Sequence, residues 1–394
     1  MFKFEGLLES SKSWMNRATV IQYYNSGLKI NGFSKAKDVL DLQIAIRELK
    51  NNQCDFQIGE GGTTFRFFSL LLSRLPGQWT LKAHPRLLHR PQHDLVLLLQ
   101  QLGCEVNLTL TEMQINSQGW NLKNKIECVA STSSQFISGL LLNSWNLPDD
   151  LEIEIASPVV SEAYLNMTLS LLKNCGMNIL ESAVNTKRIL QIRRKQIPVS
   201  QVLNSEIDLS SAFSLIAAGA IAGSVKIKNW DQNSTQPDLL FLAILEKMKI
   251  KFSVEENCFG ILNQTSWIGI NINLVNAPDL FPVLAVLCSQ AQGESYLFGA
   301  SQLKAKESDR LSKTFELLKL CGFDCVVDSS GLKIQGSSSK KNKLEKVIFD
   351  PDHDHRMAMA AGLFQLVGYN IKILHPEVVE KSYPQFWQDI QVTP

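Results

Sequence analysis

Near its C-terminal end the chain reads DPDHDHRMAM, Asp350 to Met359, with three aspartates and two histidines followed by an arginine. Such side chains can hold a divalent metal, but successive residues of an extended segment face opposite ways, and Arg356 would repel a cation held beside it. The other chemistry open to this stretch is anion binding. A helix running on from Arg356 (RMAMAAGLFQLV) would aim its unpaired backbone N–H groups and the arginine at a negative group.

Four more stretches have a similar make-up. Lys12, Ser13 and Arg17 bring an ammonium, a hydroxyl and a guanidinium to the start of a helix expected over Asn16–Tyr24. In GEGGTTFR, Gly59 to Arg66, glycines allow close backbone approach to a ligand and threonines can cap the helical run FRFFSLLL; no Gly-Lys-Ser/Thr ending makes it a P-loop. Ser131, Thr132, Ser133, Ser134 and Gln135 precede the apolar run ISGLLL, and Asp208-Leu209-Ser210-Ser211 has the plainer look of an N-cap. In KAKESDR, Lys304 to Arg310, cations stand where a helix dipole disfavours them, with Glu307 between them as a candidate acid or base. Each stretch alone reads equally as a cap or a solvated turn. Together they predict several helix N-termini converging on a strongly anionic substrate pair.

The elements that must carry these groups recur. An amphipathic run, a Gly or Asn stop and a short strand-like run appear from Leu42, Leu95, Leu169, Leu240 and Phe315. Gly103, Gly176 and Gly322 stand where a helix end calls for a left-handed residue. The spacing predicts repeated α/β units, a helix over Ser210–Ile221, a domain boundary near Ser205 or Glu206, and a polar surface loop from Ser337 to Lys346.

At 394 residues the chain is long enough for two domains, and its formal net charge of +1 argues against a general nucleic-acid binder. The N-terminus MFKFEGLLES does not read as a secretory signal, and the Phe213–Val225 run is too short and too rich in small residues to span a bilayer, so a cytoplasmic protein is expected. Eight cysteines without a Cys-x-x-Cys pair fit reduced, mostly buried thiols.

In their order along the chain, SKSxxNR, GxxGTxxR, the Arg86–Arg90 segment, SSQF, Asp-x-Ser-Ser-Ala, Pro278-Asp279, KESDR, DHRMAM and Glu380-Lys381-Ser382-Tyr383-Pro384 resemble the enolpyruvylshikimate-phosphate synthase family over essentially the full length. The resemblance implies an α/β fold of two domains, each of three repeated α/β units, an inside-out α/β barrel with the active site in the interdomain cleft. Residues 10–206 would bind mainly shikimate 3-phosphate; residues 1–9 with 207–394 would bind mainly phosphoenolpyruvate and hold the catalytic carboxylates. It implies Asp279, Glu307 and Lys12 as catalytic groups. Shikimate 3-phosphate would meet Lys12, Ser13, Arg17, Ser133, Ser134, Gln135, Tyr164, Asp279, Gln302 and Lys306, and phosphoenolpyruvate would meet Lys12, Gly62, Arg90, Gln135, Arg310, Arg356 and Lys381. No metal, cofactor, nucleic acid or membrane is implied, and a monomer is expected.

Three positions depart from the family pattern: Glu60 and His353 each replace an Asn, and Gln302 stands where an Asn is usual. Glu60 sets a carboxylate beside the anion-binding turn, where it either pairs with a neighbouring cation or weakens phosphoenolpyruvate binding. Two other readings compete. A UDP-N-acetylglucosamine enolpyruvyl transferase shares the fold but depends on a mobile-loop cysteine, and no cysteine lies near Arg86–Arg90 except Cys104. A non-catalytic anion-binding paralogue would have no use for both Asp279 and Glu307.

Overall fold

In the computed structural model, which describes residues 2–122, 125–129, 132–299, 301–336 and 345–394, Gly103, Gly176 and Gly322 have φ of +91°, +91° and +78°. Each ends a helix in the left-handed region, which costs a glycine nothing, and turns the chain into a strand at a sheet edge. After Lys247 the same turn is made by Lys249 at φ +61°, and after Lys50 by Asn52, also at +61°. Ser131 and most of the Ser337–Lys346 segment lie outside the described residues.

The chain divides into two compact units, Ser10–Ser205 and Met1–Glu9 with Glu206–Pro394. Each holds two four-stranded sheets and one parallel strand pair. In Ser10–Ser205 one sheet runs Asp55–Gly59, Gly77–Ala83, Glu112–Ser117, Glu105–Leu108 and the other Ile126–Val129, Leu151–Ala156, Lys187–Ile192, Ile179–Val184. The second unit repeats the plan with Phe2–Gly6, Gly223–Ile227, Cys258–Leu262, Phe252–Glu255 and with Asn271–Asn273, Gly293–Phe298, Gly331–Gly336, Asp324–Val327. In all four sheets the first pair is parallel and the other two are antiparallel. The third repeat of each unit is cut down to a pair, Val202–Asn204 on Lys29–Asn31 and Val347–Phe349 on Ile371–Ile373.

A second set of helices is apolar all round, which marks a helix packed on every side. All of Phe281–Ser289 is buried, as are most of Leu209–Ala222 and the first ten residues of His355–Leu366, and these three pack on one another. Lys12–Tyr24, Gly62–Ser73 and Gln135–Leu142 are their counterparts in the other unit. Each unit is therefore a trio of inner helices with sheets outside. Their first turns carry Lys12, Ser13, Gly62, Gln135 and Arg356.

Candidate active site

In the Ser10–Ser205 unit the first inner helix begins at Lys12, a turn before the expected Asn16, because Ser11 caps it by accepting from the Trp14 N–H at 3.4 Å. Lys12 Nζ lies 3.0 Å from Oδ2 of Asp38, which is buried at the head of the Lys37–Lys50 helix. Arg17 is buried and donates to Thr168 Oγ1 at 2.8 Å, the Ser13 carbonyl at 2.7 Å and the Tyr164 carbonyl at 3.2 Å. These acceptors are neutral, so burial pushes the guanidinium down to about 10. A buried cation held by neutral partners is a place where an anionic ligand binds with large gain. Tyr164 takes part here through its carbonyl.

The second and third inner helices meet through Arg66. Its Nη1 donates to Gln135 Oε1 at 2.7 Å and Ser133 Oγ at 3.4 Å, Nε to Gln92 Oε1 at 3.3 Å and Nη2 to the Pro91 carbonyl at 3.3 Å. Burial, with Arg90 nearby, pushes Arg66 well below the usual guanidinium range. Gly62 opens its helix, and a Cβ there would stand 2.8 Å from Arg90 Nη1, so the missing side chain lets that guanidinium lie against the turn. Ser134 is not part of this group: its hydroxyl donates to the Ser161 carbonyl at 3.1 Å. Glu60 Oε1 faces His84 Nε2 at 3.7 Å, which gives the unexpected carboxylate a partner on its own rim.

In the other unit Asp279 sits in the short turn Pro278–Leu280 that feeds the Phe281–Ser289 helix. Three cations converge on it: Arg310 Nη1 at 2.7 Å, Arg356 Nη2 at 3.3 Å and Lys306 Nζ at 3.5 Å. Arg310 opens its helix, and Nε and Nη2 grip Asp354 at 2.7 and 3.2 Å. Asp354 in turn caps the His355–Leu366 helix, accepting from the Arg356 N–H at 2.9 Å; this helix starts at His355, one residue before the expected Arg356. Glu307 bonds His355 Nδ1 at 2.7 Å and faces Lys381 Nζ at 3.3 Å. Gln302 donates from Nε2 to the Val275 carbonyl at 2.9 Å, leaving its buried Oε1 without a hydrogen-bond partner among the described residues.

Burial alone would raise the Glu307 carboxyl, but His355, Lys381 and Arg310 hold it well below the ordinary range. Burial likewise works against Asp354, and Arg310 more than offsets it. Burial would lower Arg310 and Arg356 too, yet the neighbouring carboxylates keep both raised, Asp354 acting most on Arg310 and Asp279 most on Arg356. Four cations (Lys306, Arg310, Arg356, Lys381) thus face three carboxylates (Asp279, Glu307, Asp354) in one cluster. Glu307, Asp354 and His355 bring oxygen and nitrogen atoms within 4.8 Å of one another, a spacing a metal could use. Those atoms are already engaged by Arg310, Lys381, the Arg356 N–H and each other, so a metal would have to displace charged partners.

A family model described as EPSP synthase (3-phosphoshikimate 1-carboxyvinyltransferase) matches residues 26–390. The chain belongs to the EPSP synthase family. A curated 3-phosphoshikimate 1-carboxyvinyltransferase of Dehalococcoides mccartyi is 33% identical over 84% of this chain and 77% of its own length. One from Methanococcus maripaludis is 30% identical over 98% and 95%. Among solved structures, the EPSP synthase of Acinetobacter baumannii superposes with a TM-score of 0.73 at 21% identity, covering 99% of this chain and 95% of that one. NikO from Streptomyces tendae, an enolpyruvyl transferase, gives 0.71 at 13% identity over 99% and 95%; at these identities both report on the fold alone.

Asp38 is not singled out by motif, and Arg66 is read only as the closing residue of GxxGTxxR, with no role of its own. A guanidinium second in the otherwise apolar run FRFFSLLL is the available signal for that role, since a charge on a buried face is retained only where it has partners. Cys104, the one thiol weighed as a nucleophile, is buried with its Sγ 3.9 Å from the Ser73 carbonyl, and burial pushes it up. No helix among the described residues is long and apolar enough to cross a membrane.

Proposed function

We propose that this protein transfers the enolpyruvyl group of phosphoenolpyruvate to the 5-hydroxyl of shikimate 3-phosphate with release of phosphate, acting as a cytoplasmic monomer without metal or cofactor. The observation that carries the reading is the pairing of Asp279 and Glu307 with an excess of fixed cations, in a chain that matches the family over nearly its whole length. Phosphoenolpyruvate brings a carboxylate and a phosphate, and planar guanidinium forks suit both. Arg310, Arg356, Lys381, Gly62, Arg90 and Gln135 would hold it. Lys12, Ser13, Arg17, Ser133, Gln135, Tyr164 and Gln302 would hold shikimate 3-phosphate.

In the mechanism Glu307 gives a proton to the methylene carbon, while Asp279 with Lys12 takes one from the attacking hydroxyl. The adduct then expels phosphate as Glu307, now a carboxylate, takes a proton back from the new methyl group. At rest Glu307 is ionised and bonded to His355, so it becomes an acid only when its cations are drawn away. The incoming anion does this: it competes for Lys381, which weakens the hold on the ionised form and lets Glu307 take up a proton. Binding and acid activation are thus one event, and fixed charges in the cluster stabilise the developing anion.

The test is phosphate release by pure protein with shikimate 3-phosphate and phosphoenolpyruvate. Release only with a UDP-amino sugar in place of the shikimate ester would overturn the assignment. Glu307→Gln should lower kcat by ~100-fold or more, the usual share of a general acid, and near-normal turnover would remove it from that role.

A further inference from the structure

Arg66 touches groups on two segments, Pro91–Gln92 and Ser133–Phe136, and each hydrogen bond has a fixed direction. A guanidinium can only donate. Gln135 must therefore turn its Oε1 toward Nη1 at 2.7 Å, which leaves Nε2 to face Thr63 Oγ1 at 3.0 Å. Ser133 Oγ accepts twice, from Arg66 at 3.4 Å and from the Gln135 N–H at 3.2 Å, so both lone pairs are in use and its O–H remains to be given. Gln92 anchors the other edge in the same sense: its Nε2 donates to the Leu87 carbonyl at 2.9 Å, so its Oε1 must be the atom facing Arg66 Nε. The Arg66 guanidinium carbon lies over the Phe136 ring, 4.9 Å from its centre. An amide flip at either glutamine would set N–H against N–H.

We propose that Arg66 is a positioning residue that sets the polarity of this part of the site: by holding Gln135 Oε1 and, together with the Gln135 N–H, the Ser133 oxygen, it fixes the Gln135 Nε2 hydrogens and the Ser133 O–H as the groups offered to a ligand. The ligand class selected is one that meets them with acceptor oxygens, a phosphate, carboxylate or ring oxygen, against one that presents an N–H. The proposal deepens the functional reading above and rests on it for the identity of the ligand.

Two substitutions separate polarity from mere structure. Gln135→Glu keeps the shape and gives Arg66 an ionic partner, so the fold should hold with Tm unchanged or raised, yet the residue now has no hydrogen to give. Its Kd for shikimate 3-phosphate by titration calorimetry should rise tenfold or more; an unchanged Kd overturns the proposal. Arg66→Lys keeps the charge but loses the fork, so Gln135 is free to flip. It should weaken the same ligand about tenfold with kcat within threefold, and by less than threefold when made in a Gln135→Ala background. Equal losses in the two backgrounds would show that Arg66 does not act through Gln135. Thermal shift with inorganic phosphate is run in parallel. A wild type that ignores shikimate 3-phosphate but responds to phosphate counts against the proposed reaction alone, and the phosphate responses of the variants then decide the polarity. A wild type indifferent to both anions overturns the polarity proposal as well.

Discussion

Neutralising Asp354 would leave the Arg310 fork, buried to 2% exposure, with Asp279 as its remaining carboxylate, and would weaken the cap of the His355–Leu366 helix. Removing one partner of a buried, hydrogen-bonded pair costs about 3–5 kcal/mol. Asp354→Asn, which keeps part of the geometry, should lose about 3 kcal/mol in urea unfolding at pH 7. The pH dependence has a definite sign. Asp354 and Glu307 are held below their unfolded values, so their contribution is complete above about pH 5 and is lost as pH falls through the depressed folded values. Stability curves between pH 6 and 3 should be shallower for Asp354→Asn than for wild type, and equal slopes would show that the Asp354–Arg310 pair is not what titrates. The conspicuous Asp–His run is thus a cap and a clamp, with Arg356 as the group aimed at Asp279. Its partners stand 44, 46 and 48 positions away at Arg310, Ser308 and Glu307, and contacts of that range leave no trace in local spacing.

At the scale of elements, the Lys37–Lys50 helix carries two carboxylates one turn apart, and their fates differ. Asp38 has Lys12, whereas half-buried Asp41 is pushed up to about 6 by burial and by Asp38, with its Oδ2 2.6 Å from where a Cβ of Gly59 would stand. A raised folded value means stability falls as pH climbs from about 4 to about 6 and is level above that. A rise of that size in a fully buried group would be worth about 3 kcal/mol, and partial exposure cuts this to about 1 kcal/mol. Asp41→Asn should therefore stabilise the protein by about 1 kcal/mol at pH 8 and hardly at all at pH 4; the same gain at both would sink the explanation. The repeated helix, stop and strand were legible because they follow from local periodicity and from glycines that tolerate positive φ. Helix starts were legible to within a turn, and the miss at Lys12 comes from a cap, Ser11, that looks like any other serine in a Lys-Ser run. That one helix of each pair lies inside and the other outside was not legible, since it depends on which sheets close around it.

At the scale of the whole chain, the net charge of +1 conceals two local imbalances, Arg17 and Arg66 with neutral partners in one unit and four cations over three carboxylates in the other. Each unit also has its own core. Ser10–Ser205 is one continuous segment and should unfold cooperatively by itself in urea, followed by circular dichroism. Residues 206–394 should not, because Gly223–Ile227 would lose the strand Phe2–Gly6 that pairs along it. Restoring that segment through a short linker should restore a two-state transition; a cooperative 206–394 fragment would show that the strand is dispensable. That pairing also orders events during synthesis. Phe2–Gly6 leaves the ribosome roughly 220 residues ahead of Gly223, some 10 to 45 s at about 5–20 residues per second. This strand therefore waits until the whole Ser10–Ser205 unit has been made, and through that interval a chaperone has an unpaired FKFEG segment to hold.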